Sequence, residues 1–127
     1  MDITPLIRSD QQVIVSYAGG VFKVSGISYE HAIIVTPDKT HIWDIGNITD
    51  VSELEIAHFS YLIENSNEID VILLGCGKNM VFMPQELKLN LKNAGLSIDI
   101  MPTGAACRTY NVLMAEGRRV ACALLLE

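Results

Sequence analysis

Alternating apolar and polar positions in the first part of the chain predict short β-strands. Val13, Val15 and Tyr17 lie two residues apart, and the same spacing resumes in the run Val21–Ser25. Gly19-Gly20 separates the two runs, and a Gly-Gly pair is typical of a tight turn between paired strands. We therefore predict an antiparallel hairpin near the beginning of the chain.

The next apolar run is uninterrupted rather than alternating. Ala32–Val35 is apolar at every position and is followed by Pro37. A strand that is buried on both faces has this pattern, so we predict a central strand here. A further strand, HIWDI, follows the turn Asp38-Lys39-Thr40, and its Trp43 is expected in the core.

The second half of the chain changes to helical spacing interrupted by short apolar runs. We predict three helices, which are a helix from Leu54 to Ile63 with a capping box at Ser52–Glu55, a helix between Pro84 and Gly95, and a helix between an N-cap at Thr103 and Gly117. The runs DVILLG, LSIDIMP and VACALLL predict strands. Because strands that alternate with helices favour parallel pairing, we predict the α/β class. The expected architecture is a single domain over residues 1–127, with a mixed β-sheet, an N-terminal antiparallel hairpin region and about three helices packed on the sheet.

Composition indicates the cellular compartment in which we expect this protein. Half of the residues are hydrophobic, but no apolar run reaches the roughly 20 residues of a membrane span. The opening MDITPLIRSDQQ lacks the pattern of a secretory leader. Three cysteines without metal spacing fit reduced thiols, so we expect a cytoplasmic protein with no membrane span.

The net charge of −6 is unevenly distributed along the chain. Residues 1–77 carry three basic against eleven acidic side chains, whereas residues 78–127 carry six basic against four acidic ones. The overall acidity argues against nucleic-acid partners, which require a cationic face. The asymmetry suits pairing with another protein or with a second copy, but a chance difference between the halves of a small domain is the simpler explanation.

Two loops follow strands that we expect to be parallel, at the edge where α/β sheets bind ligands. The first, Gly75–Asn79, contains two glycines and a lysine, and the second, Met101–Ala106, begins the third helix. Backbone N–H groups at such positions, together with nearby cations, can hold an anion. The candidate anion or nucleotide pocket consists of Gly75, Gly77, Lys78, Thr103, Gly104, Arg108 and Asn111. The alternative is structural: the glycines make a turn, and Arg108 and Asn111 bind backbone carbonyls.

Enzymatic chemistry has weaker support in the sequence. Cys76 or Cys107 could act as a thiolate if the helix terminus or Arg108 lowered its pKa. However, the three histidines, His31, His41 and His58, all lie in the first half, and no suitable base is evident. The spacing of the histidines and cysteines matches no zinc site, so we expect no metal, no cofactor and no catalytic residues.

Several segments together resemble one known family. These are GGVFKVSGISYEHAIIVTP, VILLGCGKN and, most specifically, MPTGAACRTYNVLMAEGRRVACALL. The chain resembles the domain-of-unknown-function family number 498, which includes the mitochondrial respiratory complex I (NADH:ubiquinone oxidoreductase) assembly factor 3, over roughly residues 12–126. It looks like a compact bacterial member. The resemblance implies an α/β domain with a mixed sheet and carries no catalytic residues over to this chain.

The resemblance implies a function in protein interaction. We expect a non-enzymatic interaction domain, in the form of an assembly or maturation factor for a respiratory or membrane-associated complex, with an unidentified protein partner. The alternatives are a small-anion or nucleotide-binding module and a thiol-dependent enzyme. A two-fold homodimer, formed through an edge of the strand-rich first half, is a further expectation.

Overall fold

The computed structural model describes residues 10–127, and its central feature is a five-stranded mixed sheet. In spatial order the strands are β5 (Thr40–Ile42), β4 (Ile33–Val35), β8 (Val120–Leu124), β6 (Val71–Gly75) and β7 (Ile98–Met101). β6 pairs in parallel with β7 and β8, while β4 pairs antiparallel with β8 and β5. The predicted mixed sheet is confirmed. The opening residues 1–9, which include most of the stretch expected to lack a leader, lie outside the described part of the chain.

A smaller antiparallel sheet precedes the mixed sheet in the chain. It contains β1 (Ile14–Ser16), β2 (Phe22–Val24) and β3 (Ile27–Tyr29). The predicted hairpin joins β1 to β2, and both turn glycines have the positive φ, 72° and 76°, that favours glycine. A second tight turn at Ser25-Gly26 leads to β3, a strand that the sequence pattern did not separate.

The mixed sheet is buried on both faces, and this divides the apolar core in two. In β4, Ile34 packs into one cluster, whereas Ile33 and Val35 pack into the other. The first cluster lies under the segments between β5 and β7, and includes Trp43, Phe59, Leu87 and Leu91. The second is covered by the third helix and the small sheet. Burial on both faces explains why β4 and β8 are uninterrupted apolar runs.

The predicted first helix is wrong in its beginning and in its capping. Two 3-10 turns, Val51–Glu53 and Ile56–Phe59, precede a short helix α1 (Ser60–Glu64), and a further 3-10 turn spans Ser66–Glu68. Leu54 adopts extended backbone, with φ −77° and ψ 144°, and breaks the helix while remaining buried in the core. The reciprocal cap joins Glu55 to His58, whose Nδ1 accepts a hydrogen bond from Glu55 N at 2.8 Å, rather than Ser52 to Glu55.

The second and third predicted helices are confirmed. α2 (Gln85–Asn93) begins after Pro84 and buries Leu87 and Leu91. α3 (Thr103–Ala115) packs against β6 and β8. The N-cap position predicted for α3 is wrong: Pro102 occupies it, and Thr103 is the first helical residue. The hydroxyl of Thr103 therefore serves a different purpose from capping.

Candidate functional site

The loops after β6 and β7 meet at one edge of the mixed sheet because these strands are parallel neighbours. Thr103 N donates a hydrogen bond to Gly77 O at 2.8 Å, and Cys76 N donates to Met101 O at 2.9 Å. The loops thus form one bonded unit. The backbone polar groups in these bonds are already used within the protein.

Thr103 is the junction of this unit. Its hydroxyl donates to Leu125 O at 2.9 Å and accepts from Gly77 N at 2.8 Å, and the side chain is fully buried. A Cβ atom on Gly75 would lie only 2.9 Å from the Cα atom of Thr103, so a glycine is needed for this close approach. Thr103 therefore joins the ends of β6 and β8 to the beginning of α3.

The first turn of α3 is covered by an aromatic ring. A Cβ atom on Gly104 would lie 2.8 Å from Cε2 of Tyr17, which shows how closely the ring approaches the helix. The Arg108 guanidinium donates a hydrogen bond to the Tyr17 hydroxyl at 2.7 Å. Arg108 thus fixes the aromatic ring that follows β1.

The next polar residues of α3 also bind the N-terminal strand. Asn111 donates from Nδ2 to Ile14 O at 2.8 Å and accepts from Ile14 N at its Oδ1 atom at 3.0 Å. The Tyr110 hydroxyl donates to Gln12 O at 2.8 Å. Because Asn111 satisfies the outward-facing backbone of Ile14, this part of the β1 edge is already paired within the chain.

The residues of the candidate anion pocket are therefore only partly grouped. Gly75, Gly77, Lys78, Thr103 and Gly104 lie on the bonded loops at the carboxyl edge of the parallel strands. Arg108 and Asn111, further along α3, are engaged by β1 and its neighbour Tyr17. Lys78 is exposed. Anion binding at this edge stays a prediction, for which Lys78 and the exposed side of Arg108 are the available cations.

The cysteine environments oppose thiolate chemistry at two positions. Burial raises the pKa of the Cys107 thiol from 9.0 to about 12, because the opposing effect of Arg108 is smaller. Burial also raises the pKa of Cys122 well above its ordinary value. Cys76 instead holds its loop: Sγ donates to Asn79 O and accepts from Val81 N, both at 3.3 Å. All three cysteines are buried and free.

The histidines have local structural contacts. The ring nitrogens of His31 lie 2.9 Å from Ala32 O and Gly46 O, and His58 caps the second 3-10 turn. The His41 ring packs edge-on against the Tyr61 ring, with 4.3 Å between the ring centres. The pKa of His41 is lowered mainly by burial and to a smaller extent by the charge of Lys39. Within residues 10–127, no group of three histidine, cysteine, aspartate or glutamate residues is placed to hold a metal ion.

Sequence reasoning missed an apolar surface on the segment from the β6–α2 loop to α2. Phe82 is 81% exposed, Leu89 58% and Met80 41%. The available signal was the run Met80–Met83, which is apolar but belongs to no predicted strand or helix. We call the exposed surface of residues 78–93 the 78–93 surface.

Sequence reasoning also missed a cavity of about 310 Å³, which lies at the ends of the strands opposite to the bonded loops. The β4–β5 turn, the segment from Tyr61 to Ile69 and the α3–β8 turn form its walls. Lys39 Nζ lies 5.5 Å from the centre of the Tyr61 ring, and Arg119 makes two hydrogen bonds to Asp70, at 2.7 and 3.0 Å. Because the walls come from distant turns, no local sequence motif marks this cavity.

This fold and these loops define the class of the protein as an α/β domain built on a five-stranded mixed sheet. The sequence model of the family described as "Protein of unknown function (DUF498/DUF598)" matches residues 14–125. The chain belongs to this family, and its resemblance to the family over roughly residues 12–126 is thereby confirmed.

Two relatives are similar to this protein over most of its length, and their names differ in kind. A "13 kDa major membrane protein" of Francisella tularensis subsp. holarctica is 29% identical over 109 residues, which are 86% of each chain. The "NADH dehydrogenase [ubiquinone] 1 alpha subcomplex assembly factor 3" of Danio rerio is 32% identical over 113 residues. That match covers 89% of this chain but only 63% of the zebrafish protein, so the relative contains further sequence.

Solved structures share the fold. The crystal structure of an outer membrane protein from Bartonella henselae has a TM-score of 0.79 at 34% identity, covering 93% of this chain and 97% of that one. A Mth938-like domain from Bordetella pertussis has a TM-score of 0.72 at 26% identity, covering 98% and 89%. In the present structure, none of the helices among residues 10–127 has the length and apolar character needed to cross a membrane.

Proposed function

We propose that this protein is a non-enzymatic interaction domain that acts as an assembly or maturation factor for a respiratory or membrane-associated complex. The names of the vertebrate relatives support this role, since the zebrafish assembly factor matches 89% of the chain. The structural observation that carries the proposal is the exposure of Phe82, which belongs to the 78–93 surface.

An exposed aromatic side chain of this kind is suited to anchor a partner. Burying a large apolar side chain stabilises a complex by about 1.5–3 kcal/mol, and aromatic residues are prominent among those that dominate binding energies. Met80 and Leu89 extend the apolar surface along the same segment. A partner that covers Phe82 removes its apolar area from water, which is the main favourable term in most protein association.

The loop that carries Phe82 is fixed at its base. The Cys76 thiol bonds Asn79 O and Val81 N, and the backbone of Gly77 is bonded to Thr103. A surface that is already ordered loses little conformational entropy when a partner binds. The buried threonine and cysteine therefore contribute to function by positioning Phe82.

Co-purification from the native cell tests the proposal. A tagged full-length chain is expected to recover a partner that the Phe82→Ala variant loses. Val112→Ala provides the matched control, because Val112 is 56% exposed but lies on α3. If the wild type and the Phe82 variant recover the same partner in equal amounts, the 78–93 surface is not the binding surface. Recovery of no partner under mild conditions contradicts the interaction role.

A further inference from the structure

We infer that the 78–93 surface binds an acidic segment of a partner protein, with an apolar side chain of that segment on Phe82 and its carboxylates on lysines. The inference rests on the proposed function and adds the chemistry of the partner. It follows from the charge, the exposure and the helix geometry of this one segment.

The segment is basic, although the protein as a whole is acidic. It contains the exposed side chains of Lys78, Lys88 and Lys92 against one acidic residue, Glu86. Its net charge is therefore +2, whereas the whole chain carries −6. Within residues 10–127, none of these lysines has an ion-pair partner, so their charges are available to carboxylates from another molecule.

Helix geometry places the charges beside apolar surface. Leu87 and Leu91 direct one side of α2 into the core, so Leu89 lies on the outer side. Lys88 and Lys92 are four residues apart and share one flank of the helix, and Lys92 is three residues from Leu89. Exposed Leu89 with lysines beside it is complementary to a segment in which acidic and large apolar residues alternate.

A protein segment fits this surface better than an anionic membrane does. Helices that lie in a membrane interface embed a continuous apolar face. In α2, that face is Leu87 and Leu91, which are already buried in the protein's own core. Three lysines are also fewer than the roughly four to eight basic residues typical of anionic lipid recognition.

A peptide selection tests the inference. Random peptides displayed on phage are selected against the immobilised full-length chain alone, and binding of the enriched peptides to Lys88→Glu/Lys92→Glu is then measured. We expect enriched peptides that carry net negative charge and large apolar residues. These peptides should bind the double variant about tenfold more weakly, with a smaller salt dependence. Lys23→Glu/Arg118→Glu changes the net charge equally at exposed positions outside the 78–93 surface, and should retain binding.

The outcomes separate this inference from the proposed function. Enriched peptides without acidic bias, equal binding to both double variants, or no enrichment would overturn the acidic-partner inference. So would binding to phosphatidylglycerol vesicles that depends on Lys88 and Lys92 in the absence of peptide binding. Loss of the native partner in Phe82→Ala would leave the proposed function standing in each of these cases. The neutral pair Lys88→Gln/Lys92→Gln checks that the effect arises from lost positive charge rather than from added negative charge.

Discussion

The side-chain amide of Asn111 on α3 bonds both backbone groups of Ile14 on β1, donating to the carbonyl oxygen at 2.8 Å and accepting from the amide nitrogen at 3.0 Å. The amide thereby occupies the place that a neighbouring strand would take at this edge. A polar residue in the most specific family segment thus has a structural role, which is to attach the small sheet to the third helix.

Replacing Asn111 by alanine should destabilise the fold. The change removes two hydrogen bonds and leaves two partly buried backbone groups without a partner, which costs about 1–3 kcal/mol. Urea unfolding monitored by circular dichroism measures the free energy of unfolding. The exposed neighbour Val112 supplies the control, because Val112→Ala should change stability by less than about 0.5 kcal/mol. Equal stabilities of the two variants would show that the Asn111 contacts contribute little.

Thr103→Val should destabilise the fold more than the similar shapes of threonine and valine suggest. The valine cannot accept from Gly77 N or donate to Leu125 O, and each buried group left unpaired costs about 1–3 kcal/mol. Thr103→Ser keeps the hydroxyl and should cost only about 1 kcal/mol for the lost methyl group. Thermal melts of both variants check the order. A serine variant as unstable as the valine variant would assign the effect to packing.

Gly75→Ala and Gly104→Ala should destabilise the fold to different extents although both positions are buried. At Gly75 the new methyl group would meet the backbone Cα of Thr103 at 2.9 Å, so overpacking should cost about 1–3 kcal/mol. At Gly104 the obstacle is the end of the Tyr17 ring, which can turn away and give up its bond to Arg108. We expect a smaller loss there. Adding Tyr17→Ala should remove most of the Gly104→Ala penalty, and urea unfolding of the double variant measures this.

Stability should fall in alkaline solution because of the buried thiols. The Cys107 thiol ionises near pH 9 when unfolded but near pH 12 in the fold, so the unfolded state loses its proton first. The contribution of the buried Cys107 thiol to stability is complete well below pH 9 and is lost as the pH rises from about 9 to 12, with about 1.4 kcal/mol lost by pH 10 because the folded-state pKa is raised. The urea midpoint measured between pH 8 and 10 should therefore fall less in Cys107→Ala than in the wild type. Parallel pH profiles would contradict the shift at Cys107.

The same burial predicts low chemical reactivity. Cys107 and Cys122 should resist iodoacetamide at pH 8 in the folded protein, because the thiolate is the reactive form and both pKa values are raised. Both should be labelled after unfolding in urea, and mass spectrometry of the peptides distinguishes the sites. Rapid native labelling of Cys107 would instead support the thiol-enzyme alternative.

The first helix shows where sequence patterns failed. The residues from Leu54 to Ile63 have helical spacing, but Leu54 adopts extended backbone between two 3-10 turns while its side chain stays in the core. Apolar spacing specifies which side chains face the core more reliably than it specifies the backbone between them. The same limit applies to Thr103, whose position before a helical run suggested a cap, whereas its hydroxyl bonds strand ends that are distant in sequence.

The sequence by itself determined the features that depend on neighbouring residues. The hairpin at Gly19-Gly20, the two-sided burial of β4 and the extent of α2 follow from turn chemistry and apolar periodicity. Tertiary structure decided what the polar residues of α3 contact, since Asn111 and Ile14 are 97 positions apart in the chain. It also decided that Phe82 lies outside both apolar clusters. Local patterns cannot specify these outcomes, because a side chain's partners and exposure depend on which distant segments pack beside it.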